Sequence, residues 1–355
     1  MGEKLTMTII NIEEIFANTE KMMDEMNQEA MPKLGRYCHE KKTLKDWQWI
    51  RQKPPAGRYL FYAKKLFDVE AGFLPQGKAC MIASPGGCGK TFLLIHCAIA
   101  AATGTDWLHT KAQGSHKVVF ITPEEDEEDL WKRFYNMVHA LGVQNRPDLM
   151  ALLEKNIIVY PQSNDDPELI ASDGKATDSY KDLKDLIEDD HNIKLVILDP
   201  ATRFMGEDTE TLNKAATRWV GLIEQLTKSG GKPTVLVAHH TNKTALRPVG
   251  NDKKPVFDQS MCRGASALVD GFRWVLGLQR SELEGAQRSI YIKLLKSNYS
   301  ELGATLEFEQ DYKNGGILKF VREVTVESLN SQKVSPAWDA ARKVISHNTF
   351  IHAGD

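Results

Sequence analysis

The chain has 355 residues, 42% of them hydrophobic, enough to bury a substantial core as one large domain or as one domain with extensions. Its formal net charge of −3 excludes a uniformly basic protein, so any nucleic-acid contact has to come from a local patch. No apolar run approaches the roughly 18 to 20 residues that a membrane-crossing helix needs, and Met1 to Asn18 mixes Glu and Lys with short apolar stretches, unlike a signal peptide. Cys38, Cys80, Cys88, Cys97 and Cys262 are an odd set without CxxC spacing, which reads as reduced thiols of a cytoplasmic protein rather than a disulfide frame or zinc site.

In chain order, residues 1–55 read as a helical arm. Ile12, Ile15, Phe16, Met22 and Met26 recur at helical spacing before Pro32 and Gly35 end the pattern. The arm packs on its own domain or docks onto a neighbouring subunit; the sequence does not choose. Pro54-Pro55-Ala56-Gly57 marks a boundary, followed by a short strand at Tyr59–Tyr62.

From there to about residue 325 strands and helices alternate, which predicts an α/β fold with a mostly parallel central sheet and helices on both faces. Strands are expected at 78–84, 117–122, 156–160, 194–199 and 233–238, several of them continuously apolar, as strands covered on both faces are. Between the last two, Leu212, Ala216, Trp219, Ile223 and Leu226 form an apolar helical stripe ended by Gly230-Gly231, which reads as core. The acidic surplus at 163–191 reads as a solvated loop and helix face. After residue 270, strands at 272–279, 288–297, 304–310 and 317–322, with a turn at Asn314-Gly315-Gly316, predict an antiparallel extension. Residues 326–355 read as a loose tail with a short amphipathic stretch at Trp338, Ala341, Val344 and Ile345.

The chemistry centres on Ser84-Pro85-Gly86-Gly87-Cys88-Gly89-Lys90-Thr91, between the apolar run Ala79–Ala83 and the helical pattern Phe92–Ala100. Strand, glycine-rich turn and helix in that order make a phosphate-binding loop. The glycines let backbone N–H groups turn inward on an anion, and the helix N-terminus adds its field. Lys90 would reach the β- and γ-phosphates of ATP and the Thr91 hydroxyl would ligate Mg²⁺. Ser84 stands where the usual pattern opens with Gly.

Three further strand ends carry polar groups to the same edge of such a sheet, where open α/β folds bind ligands. Asp199 ends Leu195–Leu198 and is the expected partner of the metal through water and Thr91. Glu124 follows Val118–Ile121 and could accept a proton from attacking water, with Glu125 as its competitor; the acids after them read as a negatively charged helix start. His239 and His240 end Val235–Ala238, where a polar side chain could report on the γ-phosphate. The loop 241–263 holds five basic residues against two acidic ones. That local surplus of +3 is either a phosphate-backbone contact or an ordinary solvated loop.

Taken together these pieces resemble the RecA-like ATPases, most closely the plasmid RepA-type hexameric replicative helicases, over roughly residues 57–322. The resemblance rests on SPGGCGKT, ITPEE, LVILDP, VAHHTNK, the stretch Arg263–Trp274 and Lys296-Ser297-Asn298-Tyr299. It implies a homo-oligomeric ring with ATP bound between subunits. Lys90 and Thr91 would hold phosphate and metal, Asp199 would be the metal-linked acid, Glu124 the base, and His240 the γ-phosphate sensor supported by His239. Arg273 matches an arginine that reaches into the next subunit's site, and Lys296 a basic residue of the same region. The loops 203–213 and 241–262 would face a channel carrying single-stranded DNA. Ser300-Glu301 departs from the Gly-Pro that relatives often carry, which leaves the intersubunit geometry less defined. The function implied is an ATP-dependent DNA helicase or translocase of a plasmid, phage or other mobile element. The alternative is a RecA-fold regulatory or DNA-binding ATPase that assembles without unwinding. A small-molecule kinase is disfavoured, since no acceptor-substrate constellation is present.

Overall fold

The computed structural model describes residues 58–63, 72–161, 167–241, 258–280, 289–300, 302–311 and 315–324. The arm at 1–55, most of the basic loop, Asn314 and the tail at 326–355 lie outside the described residues.

A small antiparallel sheet joins β1 (Tyr59–Ala63) to β2 (Gly72–Pro75) and β4 (Thr110–Ala112), and Phe61 and Phe73 pack their rings on Trp107. The sequence signals only the first of these three strands. Six parallel strands make the centre of the main sheet: β3 (Ala79–Ser84), β5 (Lys117–Ile121), β6 (Ile157–Tyr160), β7 (Ile193–Leu198), β8 (Thr234–His240) and β9 (Trp274–Arg280). An antiparallel extension adds β10 (Ser289–Ser297), β11 (Thr305–Asp311) and β12 (Ile317–Val324). These nine strands run in the order β12-β11-β10-β9-β3-β8-β7-β5-β6. This is the α/β architecture expected from the sequence, with strand bounds within two residues of those predicted.

The parallel strands are apolar throughout because alternate side chains enter two separate cores. Cys80, Ile82, Leu195, Ile197 and Leu236 face one, with helix α1 (Lys90–Thr103), helix α2 (Glu127–Ala140) and the antiparallel strands. Helix α3 (Pro147–Asn156) leads into β6. Met81, Ala83, Val196, Leu198 and Val235 face the other core, with helix α4 (Asp178–Asp189), helix α5 (Asn213–Leu226) and the short helix α6 (Ser266–Gly271).

Trp219 is fully buried on α5, and its indole N–H donates to the Phe204 carbonyl at 2.9 Å. Leu212 departs from the expected stripe: it is the extended residue before the helix and is 53% exposed, so the buried face begins at Ala216. Helix α6 was not foreseen; its six residues are too few to show a period.

Candidate nucleotide site

The loop Ser84–Lys90 joins the end of β3 to the start of α1. Gly87 and Gly89 have φ of 72° and 87°, a left-handed backbone that disfavours residues with a Cβ. Gly89 precedes α1 without any side-chain cap, and no acid lies in the first turn. The N–H groups of that turn are therefore open to an anion. Helix α2 differs: Asp126 accepts from the Asp129 N–H at 2.8 Å, and Glu127, Glu128 and Asp129 fill its first turn. Most of the acidic run after Glu125 is thus a capped helix start, as read from the sequence.

Lys90 is buried, and its ammonium lies inside the loop. It donates to the Ser84 carbonyl and hydroxyl, each at 3.2 Å, and to the Pro85 carbonyl at 3.4 Å. Ser84 therefore adds an oxygen that glycine lacks. Burial pulls the Lys90 ammonium below the ordinary lysine value, against the opposing charges of Asp199, Cys88 and Glu124. Cys88 is buried in the same turn, and burial raises its thiol.

Strands β3, β8, β7 and β5 are adjacent, and their C-terminal ends carry the other predicted residues. Asp199 follows β7 through a cis bond to Pro200 and accepts from the Thr91 hydroxyl at 2.7 Å. It is 4% exposed, and burial raises its carboxyl to about 6 despite Thr91 and Lys90. A hydroxyl and a carboxylate in direct contact are hard oxygen donors that suit Mg²⁺. Among the described residues no cluster of three or more His, Cys, Asp or Glu forms a cage of its own, so a magnesium ion here would draw its remaining ligands from phosphate and water.

His240 places Nδ1 3.4 Å from the Lys90 ammonium, and burial followed by that charge lowers its imidazole. His239 is different. It is fully buried, its Nε2 lies 2.8 Å from the Arg263 carbonyl, and burial lowers it to about 4. It ties the strand end to the segment returning at Arg263 rather than facing the loop. Arg263 in turn pairs with Glu210 at 2.8 Å.

Glu124 lies on the same edge, close enough for its charge to act on Lys90, Asp199 and His240. It accepts from Arg203 Nε at 3.1 Å, and both side chains are about half exposed. Glu125 is held by Arg133 of α2 at 2.9 Å and is more buried. Two contacts here escaped the sequence reading. Arg203 stands four residues after Asp199, a spacing visible in the sequence but uninformative without the short turn Ala201–Arg203. Gln310 of β11 abuts Gly89, its amide nitrogen 2.7 Å from where a Cβ would stand; no sequence signal links positions so far apart.

Arg273 and Lys296 are not brought to this edge. Arg273 precedes β9, its N–H donates to the Ala79 carbonyl at the start of β3, and its guanidinium lies 3.5 Å from Glu224. Lys296 donates to the Val269 and Asp270 carbonyls at 3.1 and 2.8 Å, closing the C-terminal end of α6. Since β3 has six residues, about 20 Å of strand separates both from their own phosphate loop.

The fold is that of solved ATPase domains. One such isolated ATPase domain matches with a TM-score of 0.53 and 11% identity over 79% of this chain and 97% of that one. A DnaB-like replicative helicase, solved together with its interactions with primase, matches with a TM-score of 0.55 and 12% identity over 87% of this chain and 75% of that one. No helix among the described residues is long and apolar enough to cross a membrane. Residues 49–245, more than half of the sequence, match the AAA_25 family, described as an AAA domain, and with a phosphate loop and acidic strand ends inside that span the chain belongs to this family.

Proposed function

We propose that the chain is an ATP-driven, ring-forming motor on single-stranded DNA, a helicase or translocase of a plasmid, phage or other mobile element. One observation carries the reading: Lys90, the Thr91–Asp199 pair, Glu124 and His240 meet at one sheet edge, while Arg273 stands at the opposite edge. A subunit so built holds every group for ATP hydrolysis except a second cation at the γ-phosphate, and Arg273 could supply that only to another copy. The homologous assembly would be a hexamer, with residues 56–325 as the ATPase domain flanked by the arm and the tail.

Lys90 leaves the Ser84 and Pro85 oxygens for phosphate oxygens, and the loop N–H groups take the remaining charge. Mg²⁺, when bound, neutralises charge that develops between the β- and γ-phosphates. Thr91 and Asp199 hold its place. Glu124 orients the attacking water and takes its proton. His240, beside Lys90, senses the γ-phosphate, and His239 fixes the strand end behind it. Lys296 holds α6 and so sets the edge from which Arg273 projects. The solved neighbours support the reading at the level of fold, and one of them is a replicative helicase.

The test is steady-state ATP turnover with and without single-stranded DNA, across protein concentration, with Lys90→Ala as the blank. Stimulation by DNA that rises cooperatively with protein concentration is expected. A DNA-indifferent, concentration-independent rate rejects the motor in favour of a regulatory ATPase.

A further inference from the structure

The N-terminal edge of the sheet holds a groove of about 770 Å³ where β3, β7, β8 and β9 begin. Its walls carry Arg58, Lys78, Lys194, Lys228, Lys232 and Arg273, with Glu224 as the sole acid among the described lining residues. Glu224 is taken by Arg273. Among the described residues, none of the other five cations is paired with a carboxylate. The Lys194 ammonium donates to the His191 and Gly231 carbonyls, and Lys78 lies over the Tyr299 ring. Elsewhere the described lysines and arginines commonly meet acids, as Lys117 does with Asp190 and Arg322 with Glu307.

Like charges gathered in a concave site repel one another, and low-dielectric walls strengthen the field inside. Burial, and after it the Arg58 charge, already pulls the Lys194 ammonium down. A chain of net charge −3 nevertheless concentrates these cations from five separate segments. One carboxylate or chloride would neutralise a fraction of them, whereas a ligand with several adjacent anionic groups matches their number. The amides of Gln76 and Asn298 line the same groove and can donate to oxyanions. About 20 Å of strand separates it from the chain's own phosphate loop, so it is a second site and not an extension of the first.

We infer that this groove binds a ligand carrying a run of phosphates, either a nucleic-acid backbone or a free polyphosphate chain. The one aromatic ring among the described lining residues, Tyr299, is covered by Lys78. Recognition is therefore of phosphate rather than base, and independent of nucleotide sequence.

The test compares the full chain with its Lys228→Glu/Lys232→Glu variant; both lysines are exposed, and neither belongs to the nucleotide site. With excess Mg-ADP present throughout, tripolyphosphate binding is followed by calorimetry. Binding of oligo-dT of about 20 nucleotides is followed by anisotropy at several salt concentrations. The difference between the two proteins reads the groove whatever fills the loop. Tripolyphosphate affinity is expected to fall by about tenfold in the variant. If the backbone of DNA is the ligand, oligo-dT affinity falls with it and the logarithmic salt slope shrinks by about 1.4, or about 0.7 per lost phosphate contact. If oligo-dT binding is unchanged, the ligand is a free polyphosphate chain. Unchanged tripolyphosphate affinity overturns the inference. Lys228→Gln/Lys232→Gln guards against misfolding: a smaller loss in the same direction upholds the site. A loss confined to the charge-reversed pair, with a lowered melting temperature, counts against it.

Discussion

The two edges of the nine-stranded sheet share the same strands and treat charge in opposite ways. At the C-terminal edge cations and acids interlock: Lys90 sits among Ser84, Asp199 and Glu124, Arg203 holds Glu124, and Arg263 holds Glu210. At the N-terminal edge five cations stand without acids among the described residues. Buried opposite charges in close contact make a site that must be rearranged to accept a ligand. Unpaired cations make one that is ready for an anion and is costly to keep empty. The first arrangement suits gated chemistry, and the second suits binding.

The largest effect should come from breaking the assignment of roles between edges. Arg273→Ala is expected to lower DNA-stimulated turnover by on the order of 10³-fold while leaving nucleotide affinity intact, since Arg273 is remote from its own loop. Mixing Arg273→Ala with Lys90→Ala protein should restore part of the turnover, because some interfaces then pair an intact loop with an intact arginine. Full activity of the single variant would reject the role across an interface.

Within the C-terminal edge, Glu124→Gln should reduce turnover by roughly 10² to 10⁴-fold with ATP still bound. Glu125→Gln, which frees Arg133 of α2, should cost stability more than rate. Single-turnover assays separate the two, and the reverse ranking would make Glu125 the base.

The tension around Asp199 can be measured as stability. Its carboxyl is raised to about 6 by burial, so the folded state binds the proton more tightly than the unfolded chain. The wild-type protein should therefore lose stability as pH rises from about 4 to about 6, by up to roughly 3 kcal/mol. Asp199→Asn removes that loss. Without nucleotide the variant should unfold at higher urea than wild type at pH 7 and at similar urea near pH 4, while losing Mg-ATP hydrolysis. A variant less stable than wild type at pH 7 would show that the Thr91 contact outweighs burial.

Arg203→Ala should have the smallest effect. The pair it makes with Glu124 is half exposed, and such pairs change equilibria by no more than about fivefold. Basal turnover should shift within that range, and the shift should vanish at high salt, where the wild-type pair is screened.

Much of the C-terminal edge was legible because motif and strand end coincide. Lys90, Thr91, Asp199, Glu124 and His240 all follow continuous apolar runs, and a parallel sheet carries the ends of such runs to one edge whatever the strand order. The pairing of neighbours was not legible. Gln310 meets Gly89, and Arg203 meets Glu124, across separations that carry no periodic signal. His239 and His240 are equivalent in the sequence, but the pleat turns one toward Arg263 and the other toward Lys90.

Fold class, the phosphate loop and the acids that serve it follow from the order of residues along the chain, because hydrophobic period and turn chemistry act over a few positions at a time. The basic groove follows from three-dimensional packing alone. Arg58, Lys78, Lys194, Lys228 and Lys232 each look like a solvated lysine or arginine in the sequence. They become one site because parallel strands start at a common edge, and long-range charge has no signature until the strand order brings its carriers together.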